Sequence, residues 1–321
     1  MASHRPASWL VVSLALFVDA CISAPEIYEP AGAHYQEGQL VIDEDLPQIE
    51  VGRPIVVLDW LNHRVLSLPT KLTLLNWRLL DHELPEENRK ILEFYLQING
   101  MRSVKVRHNQ YDPLGELSKL WGNRDVGLPY RATFGLFTWI QYTLFPERVF
   151  AGVPLIGGGD HFNPYTNTIH VFSSDLAVIL HEAGHAKDYF VRDGKGTWSL
   201  LRIVPGVDLM QEAYASTDAI RFLQCIGESD SELRAYRTLI PAYSTYVSGY
   251  VGGGAQASFP IVLAGHIVGY RQSKARERGM VLASEGLDPS QPLPRGLFQP
   301  EACKAVRESL ARERMDSRTP H

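Results

Sequence analysis

Apolar positions along this chain fall into short runs of differing period. From Pro54 the chain turns apolar, and Ile55-Val-Val-Leu58 predicts a strand or a buried segment. Thr70 to Leu80 carries helical spacing and stops around Asp81 to Pro85. Glu86 to Gln97 resumes that spacing, with Asn99-Gly100 as a C-cap. Arg102 to Arg107 alternates like a strand, and His108-Asn-Gln-Tyr-Asp-Pro113 reads as a polar loop with a turn-forming Asp-Pro. Leu114 to Trp121 predicts a helical turn, and Phe134 to Leu144 is bulky and apolar, suited to a core or an interface patch. A glycine-rich, hairpin-like loop over 157–167 leads into the β-branched run Thr168 to Phe172, expected as an edge strand.

Two longer helices follow. Ser173, Ser174 and Asp175 offer N-cap oxygens to a helix from Leu176 to Val191, which Gly194 and Gly196 stop. Asp208 to Leu223 predicts the next helix, and its Ala213, Ala215, Ser216 and Ala219 are small enough for close packing on the first. Leu239 to Tyr270 then contains no charged residue. Its glycine triplet, Pro260 and polar residues favour a segment packed on the domain over a membrane-inserted hairpin. The tail 271–321 is charged and proline-punctuated, with a short helix expected over 301–314.

The chemistry concentrates in Val178-Ile-Leu-His-Glu-Ala-Gly-His185. Helical positions four apart share a face, so His181 and His185 can grip a single ion. Zinc accepts neutral imidazole nitrogen and keeps a fourth position for water when three protein groups bind it. Glu182 sits beside that position as a base.

This stretch resembles the HExxH motif of zincin metallopeptidases. Asp188 and Val191 stand where metzincins place a glycine and a third histidine, so the resemblance is to gluzincins, which take a glutamate from a following helix. It implies an α+β zincin-like domain with a mixed sheet and one Zn²⁺ per chain, held by His181, His185 and Glu212, with Glu182 catalytic. Gluzincins often orient the first histidine with an aspartate four residues after the glutamate. Here that position is Ser216, Asp218 lies two residues beyond, and Asp208 lies one turn before Glu212. Asp188 is a further candidate, read more simply as a solvated helix charge. Asp160, His161 and His170 are left out of the ligand set, since turn chemistry accounts for the first two and His170 alternates on a strand. Tyr243, Tyr246 and His266 are candidates to stabilise an oxyanion. The stretch from Asn163 to Asp218 also resembles a bacterial family of envelope zinc peptidases.

Composition adds the setting. The 321 residues are 45% hydrophobic and 21% charged with formal net charge −5, enough for one sizeable domain. No lysine-arginine stripe with interleaved aromatics points to nucleic acid. Residues 1–20 read as a signal peptide, with Trp9 to Val18 as its apolar run. Val18-Asp-Ala-Cys21 resembles a lipobox, so Cys21 is a candidate for lipidation and membrane anchoring, with simple secretion the other reading. Ile22 after the cysteine resembles outer-membrane sorting. Residues 21–52 read as a tether, 53–238 as the catalytic domain, and Cys225 and Cys303 could pair in an oxidising periplasm. Two functions are therefore weighed: an envelope zinc peptidase acting on peptides or proteins, and a non-catalytic envelope scaffold that keeps the shell. Glu182 favours the first, because a purely structural site needs no base beside its open position.

Overall fold

Four short strands make one mixed sheet in the computed structural model, which describes residues 48–153, 158–251 and 254–284. They are β1 (Ile49–Val51), β2 (Lys105–His108), β3 (His161–Asn163) and β4 (Thr168–Val171), in the order β1-β2-β4-β3. β1, β2 and β4 run parallel, and β3 runs antiparallel to β4 with His161 opposite His170. The run expected at the edge is thus an inner strand, and β3 takes the edge. The reason is local: Asn163 Oδ1 accepts from Tyr165 N at 3.0 Å and Asn167 adopts φ 52°, which turns the chain back on itself. β2 and β4 are buried at every position, so β2 is no half-exposed strand and begins only at Lys105. Its charged residues tolerate burial because they are paired, with Arg107 at 2.7 Å from Glu116 and 2.9 Å from Glu50.

The α-helices of four or more residues before the sheet's second half are α1 (Val56–Leu61), α2 (Leu68–Leu74), α3 (Glu86–Ile98), α4 (Pro113–Gly122), α5 (Leu136–Leu144) and α6 (Glu147–Phe150). After β4 come α7 (Leu176–Phe190), α8 (Lys195–Leu201), α9 (Val207–Ile226), α10 (Ser229–Val251) and α11 (Gly254–Ser284). Ile55 to Leu58 is neither strand nor buried: it enters α1, where Val56 is 78% exposed. The helix expected over 70–80 ends at Leu75, whose φ of 50° closes it. Leu79 and Leu80 are pulled into the core beyond it, where Ser173 Oγ receives the Leu80 amide at 2.8 Å. Asp112 is more than a turn former, since it caps α4 by accepting from Gly115 N at 2.9 Å. Of the bulky run 134–144, Tyr142 is buried while Phe137 and Leu144 face outward, which makes α5 a surface helix.

The core lies where α3, α7 and α9 cover the sheet, and Leu92, Leu96, Val106, Ile169, Ile179, Leu180 and Leu223 are its centre. Each such side chain stabilises the fold by about 1.5–3 kcal/mol through burial. α7 and α9 touch backbone to backbone: a Cβ at Gly184 would lie 2.9 Å from the Ala215 carbonyl oxygen. A buried polar clasp locks the same three helices, with Asp218 of α9 accepting from Lys187 Nζ of α7 at 2.6 Å and from the Tyr95 hydroxyl of α3. The uncharged run Leu239–Tyr270 begins inside α10 and ends inside α11. These two helices pack on each other, and Gly265 and Gly269 give up their side chains to Ser244 and to the Tyr236 carbonyl of α10. α10 in turn covers α9 through Tyr236, Ile240 and Tyr243. Among the described residues no helix is long and apolar enough to cross a membrane. The segments expected as a leader and as most of a tether, with Cys21, Gly157, Cys303 and the tail beyond Ser284, lie outside the described residues.

Candidate metal centre

α7 starts at Asp175, whose carboxylate accepts from Ala177 N at 2.9 Å. The two serines offered as alternative caps do other work, bonding to Asp160 and Asp81. From that start, His181 and His185 fall one turn apart on the face that meets α9. Their rings stand edge to face with centroids 4.6 Å apart, and their Nε2 atoms approach to 3.1 Å. Glu212, in the second turn of α9, reaches both: Oε2 lies 3.1 Å from His181 Nε2 and Oε1 lies 3.4 Å from His185 Nε2. One ligand atom from each of the three falls within 4.8 Å of the others, and the group could hold a metal ion. Two imidazole nitrogens and a carboxylate oxygen are a donor set suited to a divalent cation.

The electrostatics agree with that use. Burial, opposed by Glu212, holds the His185 imidazole below its ordinary pKa, so the ring stays neutral with a lone pair to give. Burial would raise Glu212, but His185, His181 and Arg202 outweigh it and hold the carboxyl well below its usual range, ionised. Glu182 behaves in the opposite way. Burial first, then the charges of Glu212 and Asp160, push its carboxyl well above the usual value. Two glutamates within 4.0 Å of the same His181 nitrogen therefore differ sharply in basicity, the condition under which one binds and the other moves a proton.

Ser216 supplies the contact to the first histidine, with its hydroxyl 3.2 Å from His181 Nδ1. The nearby aspartates are committed elsewhere. Asp218 belongs to the clasp with Lys187 and Tyr95. Asp208 accepts from Gly206 N and from the Tyr250 hydroxyl at the start of α9. Asp188 is not a solvated charge: it is buried, and it accepts from Trp198 Nε1 at 2.6 Å and Arg192 Nη2 at 2.8 Å.

A cavity of about 260 Å³ opens over this group, walled by Glu182, His185 and Glu212 and by residues of β3, α8 and α10. Of the three oxyanion candidates, only Tyr246 lines it. The Glu212 charge, then burial, keeps its phenol well above the ordinary value, so the hydroxyl retains its proton. Tyr243 sits in the apolar contact between α9 and α10, and His266 bonds the Thr73 carbonyl at 2.8 Å. His161 also lines the cavity, stacked at 4.7 Å on His170, while Asp160 caps the amides of Phe172 and Ser173. None of the three joins the ligand group.

Arg202 is absent from the sequence reading altogether. It follows α8 and pairs through Nη2 with Glu212 Oε1, the oxygen that also faces His185. An arginine between two site helices carries no spacing signal, so only the chain's path could bring it here. Cys225 is disulfide-bonded, and its expected partner Cys303 lies outside the described residues. No family model, curated protein or solved structure matches the chain.

Proposed function

We propose that this chain is a zinc-dependent metallopeptidase of the cell envelope. The observation that carries the reading is the convergence of His181, His185 and Glu212 from two buried helices, with Glu182 on the wall of the same cavity. Zinc suits the donor set, and when bound it supplies Lewis acidity, polarising a carbonyl and making water a nucleophile near neutral pH. Glu182 takes the proton from the attacking water and delivers it to the leaving nitrogen, a role that its raised pKa supports. Tyr246, with its proton held, donates a hydrogen bond to the carbonyl oxygen as charge gathers there. Ser216 holds the His181 ring in place from behind. Export to the envelope rests on the leader-like residues 1–20 and on the oxidised Cys225, and anchoring by a lipid rests on Cys21.

The test is metal content by mass spectrometry together with hydrolysis of a mixed peptide library. The wild-type chain is expected to hold about one zinc and to cleave. Glu182→Gln should hold the same zinc and lose cleavage, and Glu212→Gln should lose most of its zinc. A wild-type chain that takes up no zinc when supplied with it sinks the reading and returns the non-catalytic scaffold.

A further inference from the structure

Arg202 has no task in the mechanism above, yet it is the charged group nearest the metal ligands that is not itself one of them. Its guanidinium touches Glu212 Oε1 through Nη2, its Nη1 lies 3.5 Å from Gln211 Oε1, and its side chain is 41% exposed at the cavity wall. Four acids line the cavity, and burial holds the carboxyl of one of them, Glu182, well above its usual range. Asp188 is held by Arg192 and Trp198, Asp160 caps the β4 exit, and Glu212 turns to the metal when one is bound. A divalent ion takes up the charge of Glu212 that now faces Arg202. The guanidinium then becomes a surplus cation beside the reacting centre, with donors still open to the cavity.

We infer that Arg202 receives the free carboxylate at the C-terminal end of a peptide, which makes the site one that removes a single residue from a chain end. The inference rests on the peptidase reading. Its geometry is adjacency: the guanidinium pairs directly with one of the three residues of the ligand group. Arg202 contacts the same Glu212 oxygen that lies 3.4 Å from His185 Nε2, so the guanidinium and the metal site are neighbours across one carboxylate group. Successive main-chain carbonyl carbons are themselves about 3–4 Å apart. A scissile carbonyl at the ligand group therefore leaves the next carboxyl group within one residue's reach of the Arg202 guanidinium, which can pair with it as an ion. An acidic side chain on that last residue offers the same chemistry from a different atom, and the experiment separates the two.

The probes are an N-acetylated tri-alanine with a free carboxylate, its C-terminal amide, and the amide with aspartate as last residue. Each is titrated by calorimetry into the zinc-loaded full chain carrying Glu182→Gln, and then again with Arg202→Met or Arg202→Lys added. Zinc is assayed in every sample. The free acid is expected to bind about tenfold or more tighter than the amide. Arg202→Met should erase the gap and Arg202→Lys should keep part of it. Equal binding of acid and amide overturns the inference, and so does a gap that survives Arg202→Met. Aspartate-tailed amide binding as tightly as the free acid overturns the chain-end assignment in favour of an acidic side chain. If Arg202→Met loses its zinc, the acid–amide gap with Arg202 intact and the Lys variant still decide. Failures of the two readings look different. Cleavage of amidated peptides by the wild-type chain with no acid preference sinks this inference alone, whereas acid preference without any wild-type cleavage sinks the peptidase reading, and removal of an end residue with it, and leaves Arg202 as a carboxylate-binding group.

Discussion

The clasp formed by Asp218, Lys187 and Tyr95 sets the register of the two site helices, and its removal has a calculable consequence. Lys187 and Asp218 are 8% and 5% exposed in their side chains and stand 2.6 Å apart. At an effective dielectric of about 20, attraction at that separation is about 6 kcal/mol, and most of it offsets the desolvation of the two charges. Asp218→Asn keeps the shape and withdraws the negative charge, leaving the ammonium buried. Breaking one side of such a pair costs about 3–5 kcal/mol. For a domain of this size that lowers the melting temperature by about 6–20 °C. Replacing both partners, Lys187→Met with Asp218→Leu, should return most of the loss, to within about 2 kcal/mol of wild type. Urea unfolding followed by tryptophan fluorescence measures both, with EDTA present so that metal binding does not enter the comparison. An Asp218→Asn variant within about 1 kcal/mol of wild type, or a double variant as unstable as the single one, would refute the reasoning.

Two further outcomes follow from the site's surroundings. Ser216→Ala deletes the contact to His181 Nδ1, and zinc affinity by chelator competition should fall about 10- to 100-fold with folding intact; unchanged affinity would remove Ser216 from the site. Burial holds Glu147 up at about 7 against its ordinary 4.5, so between those values the folded chain keeps a proton that the unfolded chain releases. Stability therefore falls as pH rises through that window, by about 3 kcal/mol in all for this group. Glu147→Gln, which cannot ionise, should be similar to wild type at pH 4.5 and more stable at pH 8, with the opposite ordering counting against the burial argument.

What was legible in the chain was whatever depends on helical period. His181 with His185, and Glu212 with Ser216, are four apart, and the small residues at 215, 216 and 219 mark the face that meets α7, whereas Ala213 packs on Tyr236, Ile240 and Tyr243 of α10. What was not legible depends on how segments dock. Asp188 reads as a surface charge until α8 brings Trp198 against it, and α8 was hidden because Gly194 and Gly196 read as a stop, whereas Gly194 precedes a new helix. Ile55 to Leu58 has strand composition, yet it joins none of the four strands of the sheet and leads into a helix whose Val56 and Val57 are exposed. β3 is only three residues long, with a histidine, a phenylalanine and an asparagine, and its pairing comes from the turn after it. Arg202 reaches the cavity from the connection after α8 and Tyr246 from within α10, and no local pattern brings in the arginine or chooses Tyr246 over Tyr243 and His266.

The backbone contact at Gly184 bears on how this site can vary. In the motif His181-Glu-Ala-Gly-His185 the two unspecified positions are free in chemical terms, because neither belongs to the group that could hold an ion. They are not free in space. Ala183 is fully buried, and a methyl group at 184 would press on the Ala215 main chain three residues from the Glu212 ligand. Any larger residue at 184 moves α9, and with it the third ligand, away from the histidines. Divergent copies of this protein that keep the same centre should therefore hold glycine at 184, whatever drift their surfaces accumulate. A sequence with the two histidines and the glutamate but a bulky residue between them would have to space its helices differently, and so would need a different third ligand.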